Sequence, residues 1–139
     1  NKNYSTFSDA KHTFIMGSSM GGLISMYAIC EYPEVFGGAI CMSTHWPGIF
    51  ASENNPIPLA FQNYSKANLP NPKTHKIYFD FGTETLDKMY EPYQIKVDEI
   101  MKAKKFRKKN WETLKFEGED HSEKSWAKRL SIPLTFMLK

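Results

Sequence analysis

The hexapeptide Gly17-Ser18-Ser19-Met20-Gly21-Gly22 constrains this chain more than any other feature. It follows a short apolar, partly β-branched run, His12 to Met16, that reads as a buried strand. It precedes good helix formers from Met20 to Glu31, with Pro33 as the stop. A strand that passes into a helix through G-x-S-x-G holds its serine on a strained, sharply bent backbone. Side chains on the flanking positions would strike the strand or the helix, so glycines stand there. In return the Ser19 hydroxyl projects from the sheet, and the Met20 amide, at a helix N-terminus, points at any negative charge developing beside it.

The rest of the chain repeats this alternation. Gly38 to Ser43 reads as a second buried strand, Lys76 to Phe81 as a third ended by Gly82, and Trp111 to Phe116 as a fourth. Between Pro47 and Pro72 five prolines predict loop, with one short helix around Leu59 to Ala67. From Leu86 to Lys105 the spacing of Met89, Tyr90, Tyr93, Val97, Ile100 and Met101 predicts one amphipathic helix with Pro92 in its first turn. Trp126 to Leu138 reads as a terminal helix broken at Pro133. Strands alternating with helices imply a mostly parallel α/β sheet, whose sites lie at the carboxyl ends of the strands.

That rule selects the partners of Ser19. A serine needs a base to take its proton. Of the four histidines, His12 and His75 precede their strands and stand at the wrong edge. His45 and His121 follow strands and stand at the right one. The chain order serine, acid, histidine selects His121 as the base, which leaves His45, with Trp46 beside it, for the substrate wall or, for His45, a place behind the catalytic groups. The acid comes from the end of the third strand, where Asp80, Glu84 and Asp87 compete. Asp80 lies inside the strand and reads as structurally paired. Asp87 is favoured and Glu84 stands next, with helix capping as the other use of Asp87. The acid fixes the histidine tautomer and stabilises its cation.

Ser18 to Gly22, Tyr32-Pro33-Glu34-Val35-Phe36 and Ser43-Thr44-His45-Trp46 resemble segments of the "Putative esterase" family, which includes enterochelin esterases, feruloyl esterase modules, esterase D and mycolyltransferases. Phe81 to Asp87 and Glu119 to Glu123, followed by Trp126 and Arg129, resemble its later blocks in the right order. The resemblance implies an α/β-hydrolase fold and a serine esterase with Ser19, His121 and Asp87 as its triad and Met20 as an oxyanion donor. It also favours Asp87 through the Leu86-Asp87 pair that follows Gly82-Thr83. Such a domain has about eight strands, roughly four of them ahead of the nucleophile. This chain predicts one strand before Ser19 and three after it, so residues 1–139 are expected to be a single partial domain, the carboxyl-terminal half. The chain opens on Asn1-Lys2-Asn3, and a segment upstream is expected. That segment, or self-association, would cover the exposed sheet edge, and the segment would supply a second oxyanion donor.

Composition narrows the alternatives. The net charge of +3 comes from one cluster, Lys102, Lys104, Lys105, Arg107, Lys108 and Lys109. It reads as a solvated helix end rather than a nucleic-acid surface, which would need a broader basic face. No apolar run approaches the roughly 18 residues of a membrane span. Cys30 and Cys41 lie in apolar stretches and read as buried free thiols, with no metal-ligand spacing. The reaction implied needs no metal or organic cofactor, and its partner is a small-molecule or glycan-linked ester. Two other readings use the same residues: acyl transfer to a sugar hydroxyl, and a non-catalytic module binding a glycan or other ligand through Trp46, Phe50, Phe61 and Tyr64.

Overall fold

The computed structural model describes residues 3–49 and 53–139. Four parallel strands form one sheet in the order β1-β2-β3-β4. They are β1 (Phe14–Ser18), β2 (Gly38–Met42), β3 (Lys76–Gly82) and β4 (Trp111–Phe116). Between them run α1 (Met20–Glu31), α2 (Ile57–Asn68) and α3 (Glu91–Ala103), and α4 (Glu123–Arg129) and α5 (Ser131–Leu138) end the chain.

The alternating side-chain directions of the inner strands divide the core in two. On one face Ala39, Cys41, Ile77 and Phe79 meet Leu23, Met26 and Ile29 of α1 and Val97 and Met101 of α3. On the other, Ile40, Met42 and Tyr78 meet Met137, with Trp126, Leu130 and Leu134 packed around them. β2 and β3 are therefore apolar on both sides, as parallel central strands are. β1 is not: it forms one edge of the sheet, and Met16 remains 46% exposed. Both cysteines are buried and free. Burial holds the Cys30 thiol up at about 12.

Two predicted helices differ from expectation. The 86–105 helix is divided: a 3₁₀ turn, Thr85–Met89, precedes α3. Pro92 is the second residue of α3, where its missing N–H costs nothing, and the turn ahead of it brings Asp87, fully buried, back against Gly82 at the carboxyl end of β3. The terminal helix begins at Glu123, capped by Ser122, and breaks at Leu130 rather than Pro133. Proline clashes with the carbonyl four residues before it, here Arg129, so the break precedes the ring and Pro133 falls in the first turn of α5. The first strand starts at Phe14 because residues 10–12 form a 3₁₀ turn, with His12 bonded to Asp9. The basic cluster lies largely exposed at and beyond the end of α3. Lys108 and Lys109 join Lys76 and Lys139 around an open concavity of about 610 Å³, near the amino ends of the strands.

Candidate active site

Register brings the site together. Ser18, Met42, Asp80 and Leu114 form one row across the sheet, so the next residues of β1 and β2, Ser19 and Ser43, leave it side by side. The Ser19 amide donates to the Met42 carbonyl at 2.9 Å, and the Ser43 amide to the Asp80 carbonyl at 2.7 Å. Ser19 then turns with φ +57°, a region that strains any residue but glycine. Its carbonyl is held by three amides, from Gly22, Leu23 and His45. A Cβ on Gly17 would lie 2.5 Å from the backbone of Gly21, so Gly17 is required for strand and helix to approach this closely. Gly21 differs from expectation, because a Cβ there meets nothing within 4 Å. The Met20 amide is the first of α1 and has no partner within its helix.

Ser19 Oγ lies 2.8 Å from His121 Nε2, and His121 Nδ1 lies 2.6 Å from Asp87 Oδ1. Asp87 is fully buried. Its other oxygen, Oδ2, accepts from the Gly82 amide at 2.6 Å and from Ser43 Oγ at 2.5 Å. The remaining acids are elsewhere. Glu84 is exposed, and Asp80 pairs with Arg129 at 3.0 Å. Burial raises the Asp80 carboxyl above its ordinary range, opposed by the Arg129 guanidinium. Of the three acids at the end of β3, only Asp87 faces the histidine.

The loop carrying His121 is clamped against β3. The Glu119 carbonyl accepts from the Thr83 and Glu84 amides, and a Cβ on Gly82 would sit 2.0 Å from that carbonyl oxygen. The His121 ring is gripped edge-on by Trp126 at 5.0 Å and Tyr90 at 5.8 Å. Tyr90 is buried and meets His45 as well, with its hydroxyl 2.7 Å from His45 Nδ1. Burial lowers the His45 pKa below its ordinary value; the Ile49 backbone opposes this and the neighbouring His121 adds to it.

Trp46 departs from its expected role. It is 2% exposed, packs on Phe61 and Phe79, and donates its indole N–H to Gln94 at 3.0 Å. Phe61 and Tyr64 pack against the same core, so the aromatics of this segment anchor it rather than form a ligand platform. Phe50 lies outside the described residues. Ser43 and Tyr90 were not singled out by the sequence as site residues. The signal for Ser43 is its position immediately after a strand on the edge that carries Ser19. Among the described residues no group of three or more His, Cys, Asp or Glu is arranged to hold a metal ion.

The sequence matches the family described as Putative esterase over residues 1–135. The chain belongs to that family. Solved structures similar to it have the α/β-hydrolase fold, so the four strands here are part of that fold. A ferulic acid esterase is 19% identical with a TM-score of 0.72, over 98% of this chain and 55% of its own. The S-formylglutathione hydrolase FrmB of Staphylococcus aureus is 14% identical with a TM-score of 0.71, over 99% of this chain and 55% of its own. The enterochelin esterase of Shigella flexneri is 21% identical with a TM-score of 0.68, over 96% of this chain and 32% of its own. This member of the Putative esterase family thus spans about a third to a half of the length of these structures. No curated protein sequence matches it.

Proposed function

We propose that the chain is the carboxyl-terminal, nucleophile-bearing half of a serine carboxylic-ester hydrolase that acts through an acyl-enzyme. The observation that carries this reading is the unbroken line of hydrogen bonds from Ser19 Oγ to His121 Nε2 (2.8 Å) and from His121 Nδ1 to Asp87 Oδ1 (2.6 Å). Ser19 Oγ attacks the ester carbonyl while Nε2 takes its proton. The tetrahedral intermediate collapses, the ester C–O bond breaks, and His121 returns the proton to the leaving alkoxide. Water then repeats the sequence on the acyl-enzyme, with His121 again as base, and releases the acid. Asp87 holds the Nδ1–H tautomer throughout, which leaves Nε2 free to accept.

The Met20 amide donates to the oxyanion. A second donor is assigned to a segment amino-terminal to this chain that adds along the free edge of β1. Two features support such a segment. Met20 and Ile24, four residues apart on the outer side of α1, are 52% and 56% exposed. The chain also covers only 55% of the ferulic acid esterase it resembles. One oxyanion donor is worth about two to three decades in rate, so this chain alone turns over ester poorly. The substrate is a small-molecule or glycan-linked ester; His45 lines its approach, and Trp46 supports His45 from the core.

The test is fluorophosphonate labelling of the intact protein read by intact mass. One adduct, lost in Ser19→Ala together with about four decades or more of ester turnover, is the expected result. Wild-type turnover in Ser19→Ala overturns the proposal.

A further inference from the structure

Behind the Asp87 carboxylate lies a buried polar cluster assembled from three elements. Ser43 Oγ accepts from Trp126 Nε1 at 2.9 Å and from Arg129 Nη2 at 2.9 Å. Both of those groups are donors only, so the two lone pairs of the hydroxyl are taken and its proton has one destination, Asp87 Oδ2 at 2.5 Å. Arg129 is 3% exposed, and among the described residues its Nε and Nη1 have no hydrogen-bond partner and the guanidinium delivers its hydrogen bonds through Nη2, to Asp80 and Ser43. Asp80 is fixed in turn by the Tyr78 hydroxyl and the Ser43 amide.

The charges in this cluster do not cancel. One guanidinium stands against two buried carboxylates, Asp80 and Asp87, so the resting cluster carries one uncompensated negative charge. When His121 accepts the Ser19 proton, the cluster with its imidazolium becomes neutral. A low-dielectric site stabilises the state in which its charges balance. That is the state in which the reaction needs stabilisation.

We propose that Ser43 is a positioning residue through which the buried Arg129–Asp80 pair orients Asp87 and balances its charge, and thereby sets the orientation and basicity of His121. Its hydroxyl proton pins Oδ2 and turns Oδ1 toward the imidazole, so the carboxylate cannot rotate away. Arg129 leaves one net negative charge on the cluster instead of two. The proposal rests on the serine-esterase reading for its kinetic consequence, but the hydrogen-bond geometry it describes does not.

Two variants of the intact protein test it. Ser43→Ala removes the pinning hydroxyl, and Asp80→Asn keeps an acceptor for Arg129 while removing one negative charge. In Ser43→Ala, kcat per fluorophosphonate-titrated serine falls about tenfold to a hundredfold with KM within about twofold, the scale expected when a reacting group is misplaced. In Asp80→Asn, kcat falls about tenfold with KM unchanged, because the cluster now becomes positive when His121 is protonated. Counting only labelled serines separates these losses from misfolding. The NMR resonance of the His121 Nδ1 proton shared with Asp87 moves upfield in Ser43→Ala. Unchanged kcat per labelled serine, or an unchanged resonance, in Ser43→Ala overturns the proposal. If Ser43→Ala does not fold, the same two readings in Asp80→Asn decide it. Failure of the wild type to label at Ser19 overturns the esterase reading, while the proton resonance still decides the role of Ser43.

Discussion

Asp87→Asn converts the geometry behind His121 into a sharp kinetic prediction. The amide that replaces the carboxylate can be seated in two ways. In the first, its oxygen takes the Oδ2 position and accepts from the Gly82 amide and the Ser43 hydroxyl, as the carboxylate does at 2.6 and 2.5 Å. Its NH₂ then faces His121 Nδ1, 2.6 Å from the atom it replaces, and must donate to it. The imidazole is driven into the Nε2–H tautomer, which cannot take the Ser19 proton. In the second seating the NH₂ meets the Gly82 N–H and a Ser43 hydroxyl whose lone pairs are filled by Arg129 and Trp126. Two buried donors left without acceptors cost about 1–3 kcal/mol each, or about 2–6 kcal/mol together. The productive tautomer is therefore depleted by a factor of about 30 to 10⁴. We expect kcat/KM of the intact protein on a p-nitrophenyl ester to fall within that range, and fluorophosphonate labelling of Ser19 to slow equally. The first seating keeps every hydrogen bond, so the thermal midpoint shifts by only a few degrees, about 1 kcal/mol. Activity within threefold of wild type, in protein that melts normally, would refute the reasoning. Glu84→Gln, at the exposed rival position, is the silent control.

Two further substitutions probe the frame and the electrostatics. Gly82→Ala sets a Cβ 2.0 Å from the Glu119 carbonyl oxygen and 3.2 Å from Asp87 Oδ2. Relief requires the 119–121 backbone to retreat, which costs about 1–3 kcal/mol of stability by urea unfolding and about a hundredfold in kcat/KM. Asp98 accepts from Gln94 and Thr113, and burial raises its pKa above 3.8. The folded protein therefore holds this proton more tightly than the unfolded chain, and the group opposes folding once the pH rises through its folded pKa. Asp98→Asn keeps the acceptor, so its thermal midpoint at pH 7 is expected above wild type, with the advantage shrinking as the pH falls toward 4. An advantage that grows on acidification contradicts the assignment.

What the sequence made legible and what it did not divide along physical lines. β2, β3 and α1 were readable because each is a largely apolar run with glycine or proline at one end, and β4 because aromatic and β-branched residues mark it. Pairing Ser19 with His121 needed the carboxyl-edge rule, which left His45 and His121, and the chain order serine, acid, histidine, which chose between them; the two side chains meet at 2.8 Å across 102 residues of chain. Helix breaks were misread where proline acts at a distance: the ring of Pro133 excludes the carbonyl four residues earlier, so the break appears at Leu130. Trp46 was misread because an aromatic residue after a strand is equally suited to core and to pocket wall, and only the positions of Gln94 and Phe79 decide between them. The Ser43 cluster needs bonds spanning 44, 83 and 86 residues to meet at one hydroxyl, and no periodicity encodes such a convergence.

The pattern of α1 carries one further piece of information. Its inner side, Leu23, Met26, Ile29 and Cys30, is buried in the core, which is all that an amphipathic surface helix requires. Its outer side carries Met20, Ile24 and Tyr27 before Glu31 ends the helix, a wider apolar band than one buried face requires. The stripe begins at Met20, the residue after Ser19, and ends at Tyr27, whose ring stacks on Tyr64 of α2 at 5.3 Å. A segment that covered Met20 would lie within a residue of Ser19 and form one wall of its site. On the serine-esterase reading, the segment that buried Met20 would also enclose the bound ester beside Ser19.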